Sequence, residues 1–333
     1  MAADITFPFL PSVDPSTGYN ATENGTGFPS NSSYIPEDYY YDDDDDNLGR
    51  IVIPSIVTIV SLFGMVGNGI VIWILGCCMK GNSFTTYVLN LSVSDFALLT
   101  AIVMENTCQF LDMLGYMDFP DTLEDLLSSL SLSTFSTSQF LLAAISLDRC
   151  VCLFFPLWHK CHRPIHLSTA VCAAVWIFTL LISAVHFALF SSIGYDELWY
   201  YQFLLNAVLC LPTISISTIA MLVKVCFMSP HHKRGRFLKA ILLALLFFLF
   251  FGFPLNYAQL FIIYDIPDFP YFHDFAPIGA SLNSAVNPFI YFLVGRDKKS
   301  QSRWKIKKMF EKLFQEEELC REEIESPPLE THL

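Results

Sequence analysis

All but one of the nineteen Lys and Arg residues in this chain fall in four short stretches. These are Lys80, Arg149–Arg163, Lys224–Lys239 and Arg296–Arg321, with only Arg50 elsewhere. The intervening runs 81–148, 164–223 and 240–295 contain no Lys or Arg. Cations confined to the connections between long apolar blocks are the mark of a helical membrane bundle whose basic loops stay in the cytoplasm. Composition agrees. The chain is 53% hydrophobic and 15% charged, where soluble domains carry about 25% charge. The formal net charge of −13 is then the sum of two opposed surfaces, acid on one side and base on the other.

A spanning helix needs about 20 apolar residues. The pattern predicts spans over Ile51–Gly76, Phe84–Cys108, Thr122–Phe154, Leu167–Ser191, Tyr200–Phe227, Phe237–Tyr264 and Tyr271–Val294. The fold class expected is an all-α seven-transmembrane helix bundle (residues 51–295), followed by an amphipathic membrane-surface helix 8 over Arg296–Gln315 and an acidic cytoplasmic tail, 316–333. The third span is diluted by Ser128, Ser129, Ser131, Ser133, Thr134, Ser136, Thr137 and Ser138. A helix that polar belongs at the centre of the bundle, facing protein on most sides. The surface helix offers Trp304, Ile306, Met309, Phe310, Leu313 and Phe314 to the bilayer, and its lysines to anionic membrane lipid.

An odd number of spans puts residues 1–50 outside the cell at the plasma membrane and the C-terminus in the cytoplasm. Met1–Pro11 has neither a basic start nor a long apolar core, so the first span is expected to carry the tail across. This tail reads as disordered and acidic, with glycosylation sequons at Asn20, Asn24 and Asn31. Tyr39, Tyr40 and Tyr41 precede five Asp residues; they are either sulfation substrates or part of a solvated acidic linker. The ten cysteines are expected as free thiols, with Cys77, Cys78 and Cys320 open to palmitoylation.

Ionisable residues inside a span are costly and usually functional. Asp95 is the clearest case. Asn68, Ser138, Asn283, Ser284 and Asn287 are its expected neighbours. Three readings stay open: a hard-cation site suited to sodium with Asp95 as the metal ligand, a proton-sharing network, or a polar knot that glues helices. No organic cofactor is expected. Asp148-Arg149 ends the third span, and adjacent acid and base at a helix end can lock each other. Asn287-Pro288-Phe-Ile-Tyr291 closes the seventh, where Asn287 and Asn283 are expected to satisfy the carbonyl that Pro288 frees.

Gly67-Asn68, the Leu-Ser-Val-Ser-Asp95 run, Asp148-Arg149, Trp176, Pro212, Pro254 and Asn287-Pro-x-x-Tyr291 occur in order, one set per span. Together they resemble the rhodopsin-like (class A) G-protein-coupled receptors over about residues 51–315. Within that class, Asp148-Arg-Cys150, the following Pro156-x-Trp-x-x-Cys-x-Arg-Pro164, Phe289–Gly295 and Gly252 in place of a toggle Trp resemble the Mas-related receptors. The resemblance implies a cell-surface receptor that activates heterotrimeric G proteins by opening its cytoplasmic end. It implies that Arg149 binds the G protein and that Asp148 restrains Arg149 at rest. Glu124 stands where the family has the third-span Cys of a loop disulfide. Arg234 and Ala220 replace residues that steady the resting and active states, which implies raised agonist-free signalling.

The outer surface is acidic, and acid there attracts cations. Glu105 and Glu124 are the sharpest candidates for holding an amine or guanidinium. Ser131, His186 and Tyr264 are placed in the same pocket. Ser131 stands where aminergic receptors hold an Asp, so a basic peptide or cationic ligand is expected rather than a small biogenic amine. Nucleic acid is not an expected partner. The alternatives are a non-signalling decoy or scaffold receptor, and a transporter, though no internal repeat supports the latter. No nucleophile–base set or zinc-ligand spacing points to an enzyme.

Overall fold

The computed structural model describes residues 43–79, 81–164, 166–193, 198–227, 235–252 and 272–295. The chain divides into two units, Met1–Asp42 and Asp43–Leu333; the first lies outside the described residues. So do the sequons, Tyr39–Tyr41, Tyr264 and the surface helix expected over 296–315.

The described part of the second unit is helices joined by short turns and coil. Its elements are α1 (Asp43–Trp73), α2 (Ser83–Met113), α3 (Asp121–Phe154), α4 (Pro156–Cys161), α5 (Leu167–Ile193), α6 (Leu198–Phe227), α7 (Gly235–Phe247) and α8 (Phe272–Gly295). Single π-helical turns extend α1 over Ile74–Cys78 and α7 over Phe248–Gly252. Among the described residues, five helices are long and apolar enough to cross a bilayer: α1 with its π turn, α2, α3, α5 and α6. The described part of α7 and the whole of α8 follow in the order expected of the sixth and seventh spans.

Local chemistry explains the ends. α1 begins at Asp43, inside the acid run and ahead of the apolar residues that start at Ile51. Asn82 caps α2: its Oδ1 accepts from the Phe84 and Thr85 amides at 3.0 and 2.7 Å, while Thr85 Oγ1 accepts from the Asn82 amide at 2.7 Å. Reciprocal caps of this kind are worth about 1 kcal/mol. Past the other end of α2, Gly115 adopts φ +67°, the left-handed conformation glycine takes without strain. Pro156 opens α4 at a position where its missing N–H has no partner to lose.

α3 packs against α2, α5 and α6, and α8 packs against α1, α2 and α7. The apolar core is in two parts. One cluster, with Leu91, Leu141, Leu142, Ile214, Leu245, Phe248 and Tyr291, fills the half that leads to the basic loops. A smaller one, Leu98, Leu132, Phe135, Phe203 and Ala280, lies toward the acidic end. Along α2 and α3 the buried polar residues Asp95 and Ser138 fall between these clusters.

The prolines expected to break spans do not end them: Pro212 lies within α6 and Pro288 within α8. Pro254 lies outside the described residues. Close approach of α1, α2 and α8 depends on Gly64. A Cβ there would meet Leu99 Cδ1 at 2.6 Å and Ala285 Cβ and Cα at 2.7 and 2.9 Å. Gly64→Ala is therefore expected to cost about 1–3 kcal/mol through overpacking and to lower the melting temperature of the detergent-solubilised protein. Gly76→Ala, which meets nothing within 4 Å, serves as the control; equal melting temperatures for the two variants would contradict the packing account.

Candidate functional site

Asp95 is fully buried on α2. Ser138 Oγ of α3 donates to its Oδ1 at 2.7 Å, and Asn287 Nδ2 of α8 donates to its Oδ2 at 2.8 Å. Ser284 of α8 adds a further side-chain hydrogen bond to the carboxylate. Ser94 Oγ lies 2.8 Å from Ser138 Oγ, so the carboxylate heads a short chain of hydroxyls. Three helices thus converge on one acid.

The expected contact between Asn68 and Asp95 is replaced by another. Asn68 Nδ2 donates at 3.1 Å to both the Gly64 and Ser284 carbonyls. Ser284 is four residues before Pro288, so its carbonyl is the one whose helical partner proline removes. Asn68 of α1 satisfies it, not Asn283 or Asn287. Asn287 is committed to Asp95, and Asn283 is buried on α8. Pro288 also packs on Gly67, where a Cβ would meet its ring at 3.1 Å. Tyr291 is buried in the larger apolar cluster.

A second polar centre stands at the basic end of α3. Asp148 Oδ2 accepts from Arg149 Nη2 at 2.7 Å, and Asp148 Oδ1 accepts from Arg163 Nη2 at 2.6 Å. All three side chains are less than a tenth exposed. His159 Nε2 lies 3.5 Å from the same Oδ1. Arg163 Nη2 also donates to Ser168 Oγ at 2.7 Å, which ties the clamp to the start of α5. The Arg149 guanidinium sits 4.5 Å above the Phe84 ring, an orientation that favours cation–π attraction. Cys150 is partly exposed beside it. The sequence shows the adjacent acid and base, whereas Arg163 stands in it only as the end of a basic stretch, with nothing in the spacing to join it or His159 to Asp148. The signal is the turn at Phe155-Pro156, which folds both back toward it.

At the acidic end, the structure brings Glu105, Glu124 and Ser131 together. Glu105 of α2 is faced by the Ser128 and Ser131 hydroxyls of α3 and feels the charge of Glu124. Ser131 Oγ forms no well-aligned hydrogen bond. No cation pairs with either glutamate among the described residues. His186 of α5 faces Ser129 of α3. It is 5% exposed, with Nδ1 at 3.4 Å from Ser129 Oγ and its ring stacked on Phe190, and so it joins α3 to α5.

Two more hydroxyls of α3 meet neighbouring helices, while Thr134 Oγ1 turns back to the Leu130 carbonyl at 2.8 Å and Ser133 Oγ has no hydrogen-bond partner among the described residues. Thr137 Oγ1 lies 2.7 Å from Thr179 Oγ1 of α5. Ser136 Oγ accepts from Gln202 Nε2 and Asn206 Nδ2 of α6 at 3.0 and 2.8 Å. Asn90, a sequon by spelling, accepts from Trp176 Nε1 at 3.1 Å within the bundle. Cys108 and Cys210 are both buried, free thiols.

Residues 67–291 match the family model for the seven-transmembrane receptors of the rhodopsin family. The chain is 31% identical over 268 residues to Mas-related G-protein coupled receptor member X1 of Homo sapiens, which covers 78% of this chain and 81% of that one. It is 34% identical over 260 residues to member A8 of Mus musculus, with 72% and 81% covered. It is 29% identical over 266 residues to the proto-oncogene Mas of Rattus norvegicus, with 78% and 82% covered. The chain belongs to the rhodopsin family of seven-transmembrane receptors and, within it, to the Mas-related G-protein-coupled receptors. It is a membrane receptor of a family whose members are not enzymes.

Removing the Asp95 carboxylate leaves the Ser138 hydroxyl and the Asn287 amide without their buried acceptor, at about 1–3 kcal/mol per orphaned group. Asp95→Ala is accordingly expected to lower the melting temperature more than the near-isosteric Asp95→Asn, measured on the solubilised receptor. Identical losses would show that the three helices do not depend on this acceptor.

Proposed function

We propose that this receptor sits in the plasma membrane with its N-terminal tail outside, binds a basic peptide or another cationic ligand at its acidic end, and activates heterotrimeric G proteins at its basic end. The observation that carries the ligand class is the Glu105–Glu124 pair: two acids near one another, backed by serine hydroxyls, with no cation among the described residues. Such a cleft favours guanidinium and ammonium groups over neutral or anionic ones. The Mas-related kinship supports the coupling. The clustering of basic residues on one side supports the orientation.

The Asp148 clamp supports a resting state. Arg149 cannot reach a G protein while its guanidinium is bound to Asp148 and laid over Phe84. Opening must release that pair. Asp148→Asn removes the charge on which Arg149 and Arg163 converge, and is expected to raise agonist-free nucleotide exchange several-fold at equal surface expression. Exchange unchanged from the parent would show that the pair does not restrain the receptor.

A sodium ion suits the polar centre. The donor set is a carboxylate with amide and hydroxyl oxygens, the chemistry of a hard cation. Asn68 Oδ1, Asn283 Oδ1 and Asn287 Oδ1 are buried acceptors with no hydrogen-bond partner among the described residues. Asp95 with Ser138, Asn283 and Asn287 would hold the ion, which would supply positive charge to the acid in the closed bundle.

Screening Arg- and Lys-rich peptides against cells that express the chain tests the ligand reading. Loss of one charge-assisted contact, about 1.5–3 kcal/mol, corresponds to roughly a tenfold or greater rise in EC50. Glu105→Gln and Glu124→Gln are each expected to show that rise for an active peptide. Peptides that act equally on the parent and both variants would refute the assignment. Peptide binding without exchange on any G protein would favour a decoy receptor.

A further inference from the structure

The lipid-facing side of α1 carries a groove of about 480 Å³ lined by Met65, Val66, Gly69, Ile70, Trp73 and Phe96. Its walls are apolar. Gly69 deepens the floor, since a Cβ there would lie 3.7 Å from the Phe96 ring. Val66, Ile70 and Trp73 are exposed and share one helical face. The next position on that stripe is Cys77, which is exposed in the π turn that ends α1. Cys78 beside it is partly exposed, and Lys80 follows. From Cys77 to Val66 the helix rises roughly 16 Å, a span suited to an extended fatty-acyl chain.

We propose that Cys77 is a site of S-acylation and that its acyl chain lies in the Met65–Trp73 groove. The inference rests on the orientation under Proposed function, which puts Cys77 at the cytoplasmic membrane surface. There a thiol meets long-chain acyl-coenzyme A. The Cys77 sulfur forms a bond to the acyl carbonyl carbon and the coenzyme's carbon–sulfur bond breaks. The proton lost from Cys77 leaves on the coenzyme thiol. No oxidant or reductant is needed. The groove begins at Trp73, one turn before Cys77, and a chain laid in it is held against protein with the thioester close to α1.

The test uses the full chain in cells fed an alkynyl palmitate, with the tail thiol removed by Cys320→Ala. Incorporation that hydroxylamine reverses is expected to persist in that background and to fall by more than half when Cys77→Ala is added. No change on adding Cys77→Ala would overturn the site. Gly69→Leu adds bulk to the groove floor, where a Cβ would meet only the Phe96 ring at 3.7 Å, and is expected to shorten the half-life of the Cys77-borne label at least twofold in a chase, with surface expression as the folding check. An unaltered half-life would overturn the place given to the chain. A membrane-impermeant maleimide applied to intact cells separates the two readings. Reaction at Cys77 from outside overturns the orientation and the acylation together. Protection of Cys77 with no acyl label overturns the acylation alone.

Discussion

A spanning helix rich in serine and threonine is tolerable only if its hydroxyls find partners, because the bilayer offers no water. α3 answers most of that demand by facing three neighbours at once, with Ser131 and Ser133 left without an aligned partner among the described residues. Ser138 serves Asp95 on α2, Thr137 meets Thr179 on α5, and Ser136 takes two amides from α6. Each such contact is worth only about 0.6 kcal/mol on average. Their value is directional: together they fix the rotation and depth of α3. Asp95, Asp148 and the serines opposite Glu105 inherit their positions from that placement.

The same need for partners explains α8. Pro288 leaves the Ser284 carbonyl unmatched inside the bundle, and Asn68 reaches across from α1 to supply the missing donor. Asn287, one residue before the proline, is pulled toward Asp95. The irregular part of α8 is thus held by side chains and not by its own backbone ladder. Contacts of that kind exchange at lower cost than helical hydrogen bonds shielded in a continuous ladder. α7 carries its π turn at Phe248–Gly252 beside Asn283, with Gly252 pressed on Phe248 and Gly279 of α8 on the Phe251 carbonyl.

Much of this was legible in residues alone. The basic clusters marked the connections between spans, the serine run marked α3 as central, and Asp95 with Ser138 and Asn287 was expected as a network. Glu105, Glu124 and Ser131 were expected to converge, and they do. What escaped was partner choice. Asn68 lies near both an acid and a freed carbonyl, and spacing along α1 does not say which one its amide meets. Arg163 is fifteen residues from Asp148, and only the turn at Phe155-Pro156 and the short α4 fold it back. His186 shares the depth of the outer pocket, yet the rotation of α5 turns it to Ser129. Depth follows from sequence count, whereas rotation depends on packing between helices distant in the chain.

The account's central claim is that Arg149 at the basic end of α3 is the coupling group of a signalling receptor. Nucleotide exchange on purified heterotrimeric G proteins, driven by the receptor in lipid nanodiscs without ligand, tests it most directly. Exchange above that of empty discs, abolished by Arg149→Ala at an unchanged melting temperature, is the predicted result. Exchange by the parent that survives Arg149→Ala undiminished would contradict it.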